Sequence, residues 1–231
     1  MPLTVAAIEG GGTTFVVSIA QIYPDNESLP PLSSSSSSSS SSIDLTEERM
    51  RVTDTVSIPS TDPNETIQKC CQWLSTKRPI INQSTSRKRF DAVGIACFGP
   101  LGVDSKHGNT YGKVLESSPK KEWRNVDVVT PILKACSADI EHDDISKDAY
   151  PPFLLDTDVN APALAEFHRS SSMTIQKTSL AYVTVGTGVG VGLIVNSKPV
   201  HGRMHPEGGH ICVAPLPNDS FAGYSWGKQR R

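Results

Sequence analysis

Three consecutive glycines between two apolar runs constrain this chain more than any other feature. Leu3 to Ile8 and Phe15 to Ala20 flank Glu9-Gly10-Gly11-Gly12-Thr13-Thr14. Short apolar runs broken by a glycine cluster predict two strands joined by a tight turn. The unit returns late in the chain, where Leu180 to Val185 and Val191 to Val195 flank Gly186-Thr187-Gly188-Val189-Gly190. No shorter repeat is present. Glycine lets backbone N–H groups approach a ligand closely and permits positive φ, and a nest of such groups binds anions. Two such turns suggest a clamp that grips one polyphosphate from both sides.

Neither turn fits the better-known nucleotide motifs. Starting a G-x-G-x-x-G at Gly186 puts Val191 in the last place, and starting at Gly188 puts Leu193 there. A strand rather than a helix follows, which argues against a Rossmann site. No G-x-x-x-x-G-K-[ST] occurs, which excludes a P-loop. Glu9, at the end of the first strand, brings a carboxylate to the first turn. A carboxylate repels phosphate unless a metal lies between them, and Mg²⁺ suits that place because it keeps waters and bridges carboxylate to phosphate. An ordinary tight hairpin with an incidental acid is the competing reading.

Between the two units the pattern alternates. A strand is expected over Arg51 to Ile58, and a helix from Pro63 to about Thr76, capped by Thr61 or Asp62 with Ile67, Cys70, Cys71 and Leu74 on one face. Ala92 to Phe98 is a continuous apolar strand, the mark of burial on both faces. Gly102 to Lys121 reads as loops. Helix follows Asn125-Val126, then a short strand over Phe153 to Leu155 and a helix from Asn160 to about His168. The stretch Pro24 to Leu45, with ten serines from Ser33 to Ser42, cannot bury enough apolar area to offset its ordering entropy. It is expected to be a disordered insertion between strands.

Asp158 stands where that short strand meets its helix. As a helix cap it would be structural; as a general base it could take a proton from a substrate hydroxyl. In His205-Pro206-Glu207-Gly208-Gly209-His210, Glu207 and His210 could turn to one pocket and bond vicinal hydroxyls; a loop stiffened by Pro206 is the plainer reading. His201, His205, His210 and Cys212 also cluster, but without a C-x-x-C this is a weak zinc signature.

Charge and cysteine content bound the partners. The formal charge is -2, from 22 Lys+Arg and 24 Asp+Glu, which argues against nucleic acid. No apolar stretch approaches the roughly 18–20 residues that a membrane helix needs. Glu9 comes too early for a secretory signal. The 5 cysteines are odd in number, so a reduced, cytoplasmic compartment is expected.

Taken in order, Ile8 to Thr13, Thr157-Asp158-Val159-Asn160, Val185 to Gly190 and His205 to His210 resemble the ROK family of sugar kinases, and most of all its bacterial-type fructokinases. Phe98-Gly99-Pro100, Ser118-Pro119-Lys120 with Trp123, and Tyr182 to Val185 look like the same subgroup. The resemblance implies an α/β, actin/hexokinase-like (ribonuclease H-like) fold of two lobes, each on a five-stranded sheet, closing over ATP and sugar. It implies a first lobe over 1–152, with the insertion at 24–45, and over 153–231 the catalytic helix and the start of a second, incomplete lobe. Asp158 matches the catalytic base. Gly11, Gly12, Thr13, Gly186, Thr187 and Gly188 match the ATP phosphate loops. Asn160, Glu207 and His210 match the sugar site. Glu9 would hold Mg²⁺ through water, and His210 matches the first ligand of a family zinc site whose remaining Cys/His ligands are not found after it here. A homodimer is the expected assembly. Departures are Thr14 and Gly10, where the family usually has Lys and Ala, and the tail from Tyr224 to Arg231. A regulatory sugar-binding protein is the alternative, though a chain that starts at the first strand has no DNA-binding segment ahead of it; an inactive truncated fragment is the other.

Overall fold

The computed structural model describes residues 2–23, 49–81, 89–106, 108–137, 150–170, 178–186, 188–201, 208–211, 217–218, 220, 224–225 and 228–229. The expected insertion at 24–45 lies outside them.

The first apolar runs form β1 (Leu3–Gly10) and β2 (Thr14–Ile22), and the alternating segment forms β3 (Met50–Pro59). These three are antiparallel neighbours. β4 (Ala92–Cys97) lies parallel beside β1, and β5 (Phe153–Thr157) parallel beside β4. The sheet order is β3-β2-β1-β4-β5. β5, the edge strand of this sheet, begins just past the boundary expected at 152.

α1 (Pro63–Ile81) opens where Asp62 Oδ1 accepts the Glu65 N–H at 3.0 Å, so Asp62 caps it. Ile67, Cys70 and Leu74 are buried as their spacing predicts. The helix outlasts the expected end at Thr76 by five residues, carrying through Pro79. α2 (Val129–Cys136) lies beside α1. Both cover one face of the sheet, over a core that includes Ile8, Phe15, Val17, Val93, Ile95, Phe98, Leu101, Trp123 and Ile132.

α3 (Asn160–Ser170) follows β5 and packs on a second sheet, β6-β7-β8. Its strands are β6 (Ser179–Val185), β7 (Val189–Val195) and β8 (Lys198–Pro199), all antiparallel. Ala163 and Phe167 of α3 meet Ile194 in a small core of their own. The other face of this sheet carries Val183, Val185, Val189, Leu193 and Val195, all exposed. In the tail, β9 (Tyr224–Ser225) and β10 (Lys228–Gln229) pair with each other, which the sequence reading did not foresee.

The β2–β3 pair has two distinct ends. At one, Thr14 faces Pro59 beside the glycine turn. At the other, Ile22 faces Met50, and the Tyr23 N–H donates to the Arg49 carbonyl at 2.8 Å.

Candidate active site

Parallel strands of equal register end on a common edge, where open α/β sheets gather their ligands. Here Gly10, Cys97 and Thr157 stand abreast on β1, β4 and β5. The chain continues the alignment past the strands: Phe98 N–H donates to Gly10 O at 2.7 Å, and Asp158 N–H to Cys97 O at 3.1 Å. The first glycine turn and Asp158 therefore share one edge, although well over a hundred residues separate them.

The turn itself departs from expectation in one respect. None of Gly10, Gly11 and Gly12 adopts the left-handed region; among described glycines only Gly112 does. Close approach is the reason for Gly10 instead. A Cβ there would lie 2.7 Å from the Phe15 ring and 3.0 Å from Cys97 Sγ. A Cβ on Gly12 would meet nothing within 4 Å, so that side of the turn is open. Beneath the turn, Phe15 stacks on Trp123 with centroids 5.2 Å apart, and Phe98 meets Trp123 edge-on at 5.3 Å. All three rings are buried. Trp123 Nε1 donates to Thr61 O at 3.2 Å, which fixes the corner after β3 to the same platform. Glu9 lies on the exposed face of β1, away from this core.

Asp158 is half-buried. The Thr157 hydroxyl accepts the Asn160 N–H at 3.0 Å, a cap-type bond at the head of α3. The Cys97 thiol is pushed far up, first by its burial and then by the Asp158 carboxylate, while the Lys120 ammonium pulls it the other way. A carboxylate and an ammonium thus both act on one buried sulfur at the strand edge. Lys120 was quoted in the sequence only as part of a subgroup motif; nothing in its spacing assigned it to the site.

Beyond Asp158 the second sheet closes in through glycines. A Cβ on Gly190 would lie 2.7 Å from Val159 Cγ1, and one on Gly192 2.1 Å from Val159 O. On the other side of β7, Cβ atoms on Gly208 and Gly209 would lie 3.0 Å from Val191 Cβ and 1.7 Å from Val189 O. Gly190, expected in the second turn, is therefore a residue of β7, and packing accounts for it. The turn proper is 186–188, where Gly186 N–H donates to Gly188 O at 2.8 Å; both glycines are exposed, and Thr187 lies outside the described residues.

Asn160 is fully buried. Its Nδ2 donates to Val200 O at 3.1 Å and its Oδ1 accepts the Leu193 N–H at 3.3 Å. Its side chain thus fastens the second sheet to α3. His201 Nε2 lies 3.0 Å from both carboxylate oxygens of Asp156 and makes a second tie between the sheets. His210 is exposed beside Gly209. Glu207, His205 and Cys212 lie outside the described residues. Among those described, no group of three His, Cys, Asp or Glu side chains is placed to hold a metal ion. That leaves the zinc expectation without support. A magnesium ion asks less of the protein, since one or two carboxylates and the substrate phosphates suffice, and Glu9, exposed one residue before Gly10, leaves one carboxylate next to the first turn.

Comparison with known proteins follows this geometry. The model of the ROK family matches residues 41–224. Curated relatives include a fructokinase of Streptococcus mutans, 32% identical over 94% of this chain and 56% of its own length, and one of Zymomonas mobilis, 35% identical over 92% and 54%. A glucokinase of Halalkalibacterium halodurans is 35% identical over 56% of this chain and 34% of its own. The chain thus spans about half the length of the fructokinases it matches. Among solved structures, a ROK family glucokinase from Streptomyces griseus, in complex with glucose and AMPPNP, superposes with a TM-score of 0.55 at 18% identity, over 93% of this chain and 52% of that one. A ROK family transcriptional regulator, homologous to the E. coli MLC protein, gives 0.56 at 14% identity, over 92% and 42%. Likeness at that identity is one of fold, and it is shared by a kinase and a regulator.

Proposed function

The chain belongs to the ROK family, and on that premise we propose that it serves an ATP-dependent sugar kinase of the fructokinase type, converting D-fructose and ATP to D-fructose 6-phosphate and ADP. The observation that carries this reading is the shared strand edge: Gly10, Cys97 and Thr157 stand abreast, with the open glycine turn beyond the first and Asp158 beyond the last. The names of the matched relatives support the fructose assignment over other hexoses.

Phosphoryl transfer asks a protein mainly to position two reactants in line and to absorb charge on the phosphate. In this proposal the N–H groups of Gly12 and Thr13 face the ATP phosphates, with the Gly11 N–H closing the turn onto Thr14 O, and the glycine turn at 186–188 grips them from the other side. The half-buried Asp158 accepts the proton of the attacking sugar hydroxyl. Glu207 and His210 bond the sugar. Asn160 works by holding β7 and Val200 against the head of α3, beside Asp158. Magnesium, held by Glu9 through water, would neutralise charge on the phosphates.

A coupled assay of the purified chain with ATP, magnesium and a panel of hexoses tests the reading. Fructose-dependent ADP release is expected. Asp158→Asn should lower that rate by a factor on the order of 10³ while leaving the affinity for fructose within a few-fold. Fructose binding without ADP release would favour the regulatory alternative; equal turnover in the Asp158 variant would remove the assigned base.

A further inference from the structure

The carbonyls and N–H groups of the first glycine turn are not used alike. Thr14 O accepts Gly11 N–H at 2.9 Å, and Thr13 O accepts Ser60 N–H at 2.9 Å. Gly12 O accepts a bond from Lys120 Nζ. Every carbonyl from 12 to 14 is thereby engaged, while among the described residues the N–H groups of Gly12 and Thr13 meet no backbone acceptor. A turn whose oxygens are engaged within the protein, and whose Gly12 and Thr13 N–H groups are not engaged by backbone, presents positive potential. Without Lys120, the Gly12 oxygen would be the one carbonyl of the three with no such donor.

Lys120 is held firmly for this work. Its Nζ also donates to Ser60 Oγ at 3.1 Å, and the ammonium lies 4.7 Å from the Phe98 centroid and 5.8 Å from that of Trp123. It joins three segments, the turn, the β3–α1 corner and the loop before Trp123. Because a trans peptide sets its C=O and N–H in opposite directions, fixing Gly12 O also fixes where the Thr13 N–H points.

We propose that Lys120 is a positioning residue for phosphate: its ammonium neutralises and orients the Gly12–Thr13 peptide, so that the turn offers donors, not acceptors, to the terminal phosphates of a nucleotide. This rests on the kinase reading of the same turn. Burial lowers the pKa of the Lys120 ammonium, which is in keeping with a cation held among rings and carbonyls.

The test uses the whole chain, Lys120→Met, Lys120→Arg, and Lys121→Met as the exposed neighbouring control. Titration calorimetry reads binding of magnesium-ATP and of inorganic tripolyphosphate; hydrogen exchange reads the amides of 11–14 without ligand. Lys120→Met should weaken both ligands at least tenfold and speed exchange at Gly11 at least tenfold. Lys120→Arg should stay within about threefold of the parent, and Lys121→Met within twofold. In the coupled assay the KM for ATP should rise and the KM for sugar should not, a split that general destabilisation does not produce. If Lys120→Met fails to fold, Lys120→Gln keeps a donor, drops the charge and carries the same readouts. Binding and exchange within twofold of the parent would overturn this inference and leave the kinase reading intact. A parent chain that binds neither ligand would overturn both.

Discussion

At the scale of single residues, the thiols bring a testable cost. Cys70, Cys71 and Cys136 are free and sit in or against the core under the first sheet. Burial raises their pKa values from 9.0 to about 12, 11 and 12, and the neighbouring Cys71 adds to the shift at Cys70 and Cys136. The folded chain therefore keeps protons that the unfolded chain gives up above pH 9. Stability is full below that pH and falls between 9 and about 11–12, by roughly 1.4 kcal/mol per pH unit for each thiol. Urea titrations at pH 8 and pH 10 should show the loss, and Cys136→Ala should make it shallower. The odd cysteine count pointed to unpaired thiols, and the four described are free, but which of them lay deepest was not legible, because burial depends on partners from elsewhere in the chain. Lys120 was hidden for the same reason: its acceptors, Gly12 and Ser60, lie far off in sequence. The place of Asp158 at a strand–helix junction was legible because the short strand and the Ala-rich helix on either side of it were.

At the scale of elements, alternation and apolar runs located β1, β2, β3, β4, β6 and the start of α1 to within a few residues. The misses have local causes. Pro79 reads as a helix stop, and five residues of α1 lie past Thr76. β8 spans two residues, too few for any period to show. Gly190 reads as a turn because glycine usually marks one, yet in β7 it answers to Val159. Gly192 tests that account. A Cβ at 2.1 Å from Val159 O cannot be met by a rotamer change, since the obstacle is backbone. Gly192→Ala should cost about 1–3 kcal/mol or more. Hydrogen exchange should quicken in β6 and β7 well before it does in β1 and β4.

At the scale of the whole molecule, the second sheet has one face covered by a helix and one that the described residues cover only in part, where 208–209 meet Val189 and Val191. α3 covers the first; Val185 at 78% and Val183 at 56% exposure lead the second, with Val195 at 46%. Apolar surface of this kind, next to a two-residue edge strand, favours self-association. Val183→Thr, Val185→Thr and Val195→Thr together should reduce light scattering at high concentration, with little change in the melting of the first sheet. Unchanged scattering would place the sticky surface elsewhere. The family fold was legible from the order of four motifs. The exposed valines were not legible, because strand pattern shows which residues alternate but not which side finds a cover.

The two ends of the β2–β3 pair lead somewhere practical. Segment 24–48 leaves after Tyr23 and comes back at Arg49, and these two residues are joined by a backbone bond. The nine residues of β2 separate that bond from the glycine turn, roughly 30 Å at strand rise. Shortening the serine tract, or splicing a fluorescent reporter into it, should leave the glycine-turn edge undisturbed and give this chain a handle for immobilisation.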